Sequence, residues 1–228
     1  MFSAKQKQIL SFPTTDYTAL ICDGAVRSGK TSVMSFSFVI WAMHTFNDHN
    51  FAICGKSVQS AVRNVIRPLE SMTYFENEGF SLKYNIAEHR LTIRRGNVEN
   101  FFYVFGGKDE SSYTLIQGIT LAGVLLDEVA LMPRSFVEQA LARCSVCGSR
   151  FWFNCNPENP NHWFYKEWIQ DAKSKNALHL HFLMEDNPSL TKDILERYKN
   201  TYSGVFYDRY VLGKWRIAEG LIYPMFDK

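Results

Sequence analysis

Short apolar runs alternate with longer segments of helical periodicity along the first part of the chain. Residues 17–22 (YTALIC) and 51–54 (FAIC) predict buried strands, because each run is short, apolar, partly β-branched and followed by a glycine or Asp-Gly. Residues 30–46 and 58–72 have the spacing of buried helices, and Pro68 weakens the second helix near its end. The pattern therefore predicts two βα units.

The middle of the chain has the period-two alternation of strands that are joined by tight turns. Its apolar positions are Leu82 and Tyr84, Leu91 and Ile93, and then Phe101, Tyr103 and Phe105. Turns at residues 87–88 and 96–97 separate the three groups, which predicts an antiparallel meander.

Strand and helix signals alternate again in the rest of the chain. Residues 124–127 (VLLD) predict a central parallel strand that is covered on both faces. Further strands are predicted at 150–155 and 179–183, and helices at 136–141 and 191–202, the last capped by Thr191. The alternation predicts an α/β fold: a mostly parallel central sheet flanked by helices, with the meander at one side.

A turn signal at Asp186-Asn187-Pro188 predicts the one soft boundary in the chain. We expect a core domain over residues 1–186. Residues 187–228 are predicted to form a small helical lid subdomain and a linker.

Composition narrows the class of protein. The chain has 228 residues, 46% of them hydrophobic, and a formal net charge of +2, which excludes disordered and collagen-like chains and makes any DNA contact local. The apolar stretch at 33–43 is too short to span a membrane, and the polar N-terminus has no export signal, so a cytosolic protein is expected. Five cysteines, an odd number, indicate reduced and packed thiols.

The strongest motif lies between the first predicted strand and helix. GAVRSGKT matches GxxxxGK[ST], the phosphate-binding loop, and consists of Gly24, Ala25, Val26, Arg27, Ser28, Gly29, Lys30 and Thr31. Backbone N–H groups of such a loop surround a phosphate, Lys30 adds a positive charge, and the Thr31 hydroxyl is a ligand for Mg²⁺. Arg27 is placed to stabilise negative charge on the terminal phosphate, or it is a plain surface arginine.

Two acids end the predicted central strand. Ligands of open α/β sheets bind at the carboxyl ends of the strands, so Asp127 is expected to hold Mg²⁺ and Glu128 to deprotonate the attacking water. A structural helix cap is the alternative. At the end of the next strand, Asn154 and Asn156 either sense the γ-phosphate or form Asn-Pro turns. The base-reading tetrapeptide NKxD of GTPases does not occur.

Five segments in this order carry a family resemblance: GAVRSGKT, IQGITLAGVLLDE, FNCNPENPNHW, DNPSL and YVLGKWRIAEGLIYPMFD. Together they resemble the ATPase domain of the large terminase subunit of tailed bacteriophages over nearly the whole chain. The resemblance implies a P-loop ATPase of the additional-strand, catalytic-glutamate class that uses ATP and Mg²⁺ to drive double-stranded DNA into a procapsid. It also implies a small terminase subunit and a portal protein as partners, a ring of identical subunits during packaging, and a place in the host cytoplasm and transiently at the procapsid portal.

The resemblance also implies a role for each motif residue. Lys30 and Arg27 join Glu128 in catalysis, Thr31 and Asp127 hold the metal, and Asn154, Cys155 and Asn156 form a coupling motif. A glutamine near the N-terminus reads adenine in this family. Gln6 fits that role best, with Gln8 as the alternative.

Two features depart from the family pattern. Some relatives carry an arginine eleven residues before the catalytic glutamate that acts on the neighbouring subunit, and Gln117 stands there in this chain. Arg143 or Arg134 would have to supply such an arginine finger. The family's nuclease domain is expected after GLIYPMFD, near the end of this chain, so we predict no DNA-cutting activity for it.

Three rival interpretations stay open at the level of sequence. A zinc-binding module could use Cys144, Cys147, Cys155 and His162. A helicase or recombination-type motor shares the phosphate loop and the acid pair, and a non-catalytic nucleotide-binding regulator would tolerate Glu128→Gln. If the chain does grip DNA, Arg94, Arg95, Lys173 and Lys175 are candidate phosphate contacts, although solvated surface charges are the plainer interpretation.

Overall fold

One eight-stranded sheet organises the part of the chain that the structure describes. In the computed structural model, which describes residues 2–217, the strand order is β3-β4-β5-β2-β6-β7-β1-β8. The strands are β1 (Ala19–Gly24), β2 (Asn50–Gly55), β3 (Phe80–Asn85), β4 (Arg90–Arg95), β5 (Val98–Gly106), β6 (Gly123–Asp127), β7 (Arg150–Asn154) and β8 (Ala177–Phe182). All pairs from β5 to β8 across the sheet are parallel, whereas β3, β4 and β5 pair antiparallel, as the predicted meander requires.

Helices cover both faces of the sheet. They are α1 (Ala4–Ser11), α2 (Lys30–Thr45), α3 (Val58–Ala61), α4 (Arg67–Glu70), α5 (Thr73–Asn77), α6 (Arg134–Arg143), α7 (Lys192–Thr201) and α8 (Gly204–Tyr210). The predicted helix over 58–72 is continuous only to Glu70, and a π-helical turn, Val62–Ile66, joins α3 to α4. Thr191 caps α7 by accepting a hydrogen bond from the Ile194 N–H, as predicted.

Two apolar cores lie on opposite faces of the sheet, because successive side chains of a buried strand point to opposite sides. Trp152, Phe38 and Phe102 lie in the core under α2. Phe136 and Phe153 lie in the core under α6. Burying each such side chain contributes about 2–3 kcal/mol to folding, so both layers hold the sheet rigidly beneath the loops at its edge.

The order of the central strands identifies the class of fold. β7 is inserted between β1, which leads into the phosphate loop, and β6, which ends in the acid pair. This additional strand confirms the predicted α/β class. Because the three strands are parallel, their carboxyl ends bring the loop, the acid pair and residues 154–156 to one edge.

The last helices pack against the phosphate-loop side of the sheet. α7 and α8 surround a small cluster that contains Ala25, Met184 and Val211. The proposed division at residue 186 stays a prediction. The junction GLIYPMFD falls outside the described residues. Within residues 2–217, no helix has the length and apolar character of a membrane span.

Candidate nucleotide-binding site

The phosphate loop turns tightly between β1 and α2, and two glycines make the turn possible. Gly24 has φ +126°, and a Cβ there would lie 2.0 Å from the Phe182 carbonyl oxygen. Gly29 has φ +80°, and a Cβ there would come within 2.9 Å of the Gln6 side chain. α2 begins at Lys30, so the loop leads directly to a helix N-terminus, where N–H groups favour anions.

Lys30 is buried and makes four polar contacts. Its Nζ donates to the carbonyl oxygens of Gly24 (3.1 Å) and Ala25 (2.8 Å), to Ser28 Oγ (3.1 Å) and to Asn156 Oδ1 (3.3 Å). Burial lowers the pKa of Lys30 to about 8, although nearby acidic groups oppose the shift. The ammonium group is therefore held inside the loop, where its positive charge would attract a bound phosphate.

Side chains from three elements meet at Asp127. Thr31 Oγ1 lies 3.2 Å from Asp127 Oδ1 and donates to it, and Asn154 Nδ2 lies 2.5 Å from the same oxygen. Asn154 Nδ2 also contacts Thr31 Oγ1 at 2.8 Å. The other oxygen, Asp127 Oδ2, accepts a hydrogen bond from Asn64 Nδ2 at 3.2 Å.

The donor set at this junction fits Mg²⁺. Thr31 and Asp127 offer a hydroxyl and a carboxylate, which are the hard oxygen ligands that Mg²⁺ prefers. Asn154 presents its amide nitrogen to both of these side chains, so its own oxygen is not directed at the junction. Thr31 and Asp127 are thus the residues that would hold the metal.

Glu128 has an unusual backbone conformation beside this junction. Its φ of 62° and ψ of 45° lie in the left-handed region, which costs about 1–2 kcal/mol for a residue with a side chain. Burial raises the pKa of Glu128, the charge of Asp127 raises it further, and Arg63 partly opposes the shift. A carboxylate with a raised pKa is a better proton acceptor at neutral pH.

A cleft of about 320 Å³ brings most of the predicted site together. It is lined by Val26, Arg27, Ser28, Gly29, Lys30, Thr31, Ser32, Asn64, Asp127, Glu128, Asn154, Asn156 and Asn187. Gly24 and Ala25, the first two loop residues, are buried and do not line the cleft, and Cys155 is buried in the core under α6. The cleft has room for phosphate groups, and the phosphate loop and the acid pair line it together.

The two candidate glutamines have different environments. Gln6 is buried against Gly29 of the loop, and its Oε1 accepts a hydrogen bond from the Ser3 N–H at 3.0 Å. Gln8 is exposed on α1. The contact with the loop favours Gln6 over Gln8 as the residue nearest a bound nucleotide.

The two candidates for an arginine finger, Arg143 and Arg134, do not line the cleft. The Arg143 carbonyl accepts a hydrogen bond from Leu121, just before β6 begins, so Arg143 lies at the opposite end of the sheet. Arg134 forms ion pairs with Glu138 and Glu167 on the surface. Gln117 is exposed after the 3₁₀ helix Glu110–Ile116.

The candidate DNA contacts are surface residues. On the meander, Arg94 and Arg95 form ion pairs with Glu99 and Glu78. Elsewhere, Lys173 is exposed and the Lys175 ammonium lies over the Trp168 ring.

The sequence did not predict Asn64 and Asn187, which are among the polar residues that line the cleft. Asn64 reaches Asp127 from the π-helical turn, and Asn187 Nδ2 donates to the Arg27 carbonyl at 2.7 Å. The Asp-Asn-Pro turn around Asn187 was visible in the sequence, but it only indicated a boundary. Asn64 has no comparable signal, because it lies within a helix pattern.

The zinc-module interpretation is wrong for the described part of the chain. Between residues 2 and 217, no three His, Cys, Asp or Glu side chains are grouped as metal ligands. Cys155 is 1% exposed among apolar side chains, and Cys144 Sγ donates to the Ala140 carbonyl. Cys155, which directly follows β7, is buried in the core, and the four candidate ligands form no metal-binding group within the described residues.

Comparison with known proteins agrees with the fold. Residues 21–227 match the model of the family "Terminase large subunit, T4likevirus-type, N-terminal". The chain belongs to this family of large terminase subunits. The resemblance identified in the sequence is thereby confirmed. A search of curated protein sequences gave no match.

Several solved structures of the large terminase from a thermophilic bacteriophage are similar to this chain. One crystal form of that terminase is 54% identical, with a TM-score of 0.92, over all of this chain and 57% of that one. Its complex with ADP is 52% identical, with a TM-score of 0.92, over 99% of this chain and 56% of that one. Its complex with ATP-γ-S is 52% identical, with a TM-score of 0.89, over 100% and 56%. The chain thus spans a little over half the length of this relative.

Proposed function

We propose that this terminase chain hydrolyses ATP and uses the free energy to translocate double-stranded DNA into a procapsid. The observation that carries the proposal is the position of Glu128 beside Asp127 in the cleft that also contains Lys30 and Thr31. A binding switch would not need a second, half-buried carboxylate next to the metal ligand. The terminase of the thermophilic bacteriophage, 52% identical to this chain, has been solved with ADP and with ATP-γ-S.

The residues divide the hydrolytic step between them. The loop N–H groups and Lys30 bind the β- and γ-phosphates, and Arg27 stabilises charge on the terminal phosphate. Glu128 accepts a proton from the attacking water, which its raised pKa favours. When bound at Thr31 and Asp127, Mg²⁺ supplies charge neutralisation for the two phosphates. Gln6, which lies against the loop, is proposed to read adenine.

Residues 154–156 are proposed to couple hydrolysis to movement. Asn156 contacts Lys30, and Asn154 contacts Thr31 and Asp127. Between them, the Cys155 N–H donates to the Cys22 carbonyl on β1. Loss of the γ-phosphate would change the contacts of Lys30 and Thr31, and the change would reach β7 through these two asparagines.

The proposed cycle needs a gripping surface and partners. ATP binding tightens contact with DNA phosphates and hydrolysis releases it, without reading bases. Arg94 and Arg95 on the meander are candidate contacts. We further propose a ring of subunits at the procapsid portal in the host cytoplasm, with a small terminase subunit and with Arg143 or Arg134 as the arginine finger between neighbours.

Glu128→Gln tests the proposal. The variant removes the proton acceptor and keeps the size of the side chain, so kcat for ATP should fall about 10²- to 10⁴-fold while ATP binding is retained. ATP should then hold the variant on duplex DNA, since the releasing step is lost. Filter binding and a phosphate-release assay measure the two effects.

Glu76→Gln, on exposed α5, is the matched control and should behave as the native chain does. Native turnover in Glu128→Gln would contradict the role of Glu128 as the proton acceptor. A native chain that binds ATP but releases no phosphate would favour a non-catalytic regulator. A forked duplex that the native chain unwinds with ATP would favour the helicase alternative.

A further inference from the structure

The helix after β2 changes its winding at the point where it passes the cleft. Over Val62–Ile66 it forms a π-helical turn, in which the Arg67 N–H donates to the Val62 carbonyl five residues earlier. A π-helical turn accommodates one extra residue and rotates the side chains that follow relative to a regular helix. Val65 and Ile66 are buried, and Asn64 lines the cleft.

Asn64 completes the set of donors around a buried carboxylate. Asp127 is 2% exposed. Thr31 and Asn154 contact its Oδ1, while Asn64 Nδ2 contacts Oδ2 at 3.2 Å. These three donors are neutral and come from α2, β7 and the π-helical turn. A carboxylate with donors on both oxygens is fixed in rotation as well as in position.

The neighbouring arginine orients the Asn64 amide. Arg63 Nε donates to Asn64 Oδ1 at 3.3 Å. Because a guanidinium can only donate, the amide oxygen must face Arg63, and the amide nitrogen then faces Asp127. The order Arg63, Asn64, Asp127 is thus a directed chain of hydrogen bonds that runs from the exposed surface into the cleft.

We propose that Asn64, oriented by Arg63, is a positioning residue that fixes the Asp127 carboxylate for metal-nucleotide binding. The inference rests on the proposed function, since it assigns Asn64 to the same reaction. Partners of a metal-binding carboxylate determine its orientation, and their loss typically weakens metal affinity or activity 10- to 100-fold.

Asn64→Ala should weaken the response to Mg²⁺ and leave nucleotide binding without metal intact. The half-saturating Mg²⁺ concentration for ATP hydrolysis should rise about tenfold. In equilibrium binding with ATP-γ-S, the variant should match the native chain in EDTA and bind about tenfold more weakly with Mg²⁺. A purely structural role would instead weaken both binding reactions equally and lower the melting temperature.

Two further variants complete the experiment. Gln59→Ala removes an exposed amide from α3, away from the cleft, and should leave both measurements unchanged. Arg63→Ala keeps Asn64 but removes its orienting partner, so the Mg²⁺ response should weaken in the same direction by a smaller factor. If Asn64→Ala does not fold, an unchanged Mg²⁺ response in Arg63→Ala overturns the proposal.

The outcomes separate this inference from the function on which it rests. An inactive Glu128→Gln together with an Asn64→Ala that behaves like Gln59→Ala would overturn the positioning role alone. A native chain that hydrolyses no ATP would remove the proposed function itself. Equal loss of ATP-γ-S binding with and without Mg²⁺ in Asn64→Ala would assign Asn64 to the packing of the helix.

Discussion

At the scale of single residues, three buried charges among residues 2–217 lie in or beside the phosphate loop. Asp23, Lys30 and Asp127 are 1%, 5% and 2% exposed. A buried charge is tolerated only when hydrogen bonds replace its hydration, and each of the three has at least three polar partners within the described chain. Burying these three charges costs desolvation free energy, and the polar contacts offset that cost. The same contacts hold the loop in one conformation before a ligand binds.

Asp23 is the one of these charges that lies outside the cleft. His179 Nε2 and His181 Nδ1 donate to its Oδ1 at 2.8 and 3.0 Å, and Trp215 Nε1 donates to Oδ2 at 2.8 Å. Burial alone would raise the pKa of Asp23, but the two histidines lower it well below its usual range. The native state therefore holds this carboxylate ionised at pH values where the unfolded chain protonates it.

Asp23→Asn should lower the free energy of unfolding at pH 7 by about 2 kcal/mol, because hydrogen bonds to a charged acceptor are lost. A lowered native pKa gives stability that is complete above the unfolded pKa near 3.9 and declines below it. The difference in the free energy of unfolding between the native chain and Asp23→Asn should therefore become about 1 kcal/mol smaller at pH 3 than at pH 7. Urea unfolding at both pH values measures this difference. A difference that is the same at pH 7 and pH 3 would contradict the lowered pKa of Asp23 in the native state.

At the scale of elements, regular patterns were readable from the sequence and irregular ones were not. The apolar spacing predicted α2 and β6 because each element buries a periodic set of side chains. The acid pair could be assigned to the cleft because a strand end fixes its position. The π-helical turn had no signal, since one extra residue leaves the helical pattern of Val58, Val62 and Val65 almost unchanged. Asn64 was missed for that reason.

The turn from β1 into the phosphate loop has no room for a side chain at Gly24. Gly24→Ala would place a methyl group 2.0 Å from the Phe182 carbonyl oxygen at φ +126°. The clash must move β8 or the loop, so we expect a loss of stability of about 3 kcal/mol or more and loss of ATP binding. Gly79→Ala is the matched control, because Gly79 has φ +75° and nothing within 4 Å of its Cβ position. It should cost about 1 kcal/mol, and equal melting temperatures for the two variants would show that crowding is unimportant.

At the scale of the whole molecule, the last described segment folds back onto the phosphate loop. The Val26 N–H donates to the Tyr210 carbonyl at 3.1 Å. A Cβ on Gly213 would lie 2.9 Å from the Ala25 nitrogen. These contacts join residues that are far apart along the chain, so no local pattern in the sequence predicts them. The loop is thereby held between β8 and residues 210–215. A shift of the loop would therefore change its contacts with residues 210–215.

A substitution of Trp215 can test whether the last described segment is held against the phosphate-loop side of the sheet. Its indole N–H donates to Asp23, and its ring lies 4.8 Å from the Tyr165 ring. Trp215→Phe keeps an aromatic ring but removes the donor, which should destabilise the docked segment by about 2 kcal/mol. Amide hydrogen exchange over residues 204–217 should quicken while exchange in β1 and β6 stays unchanged. Trp168→Phe is the control, because Trp168 is half-buried against the core under α6, and it should leave residues 204–217 protected. Uniformly faster exchange in Trp215→Phe would mean that the segment does not open separately from the sheet.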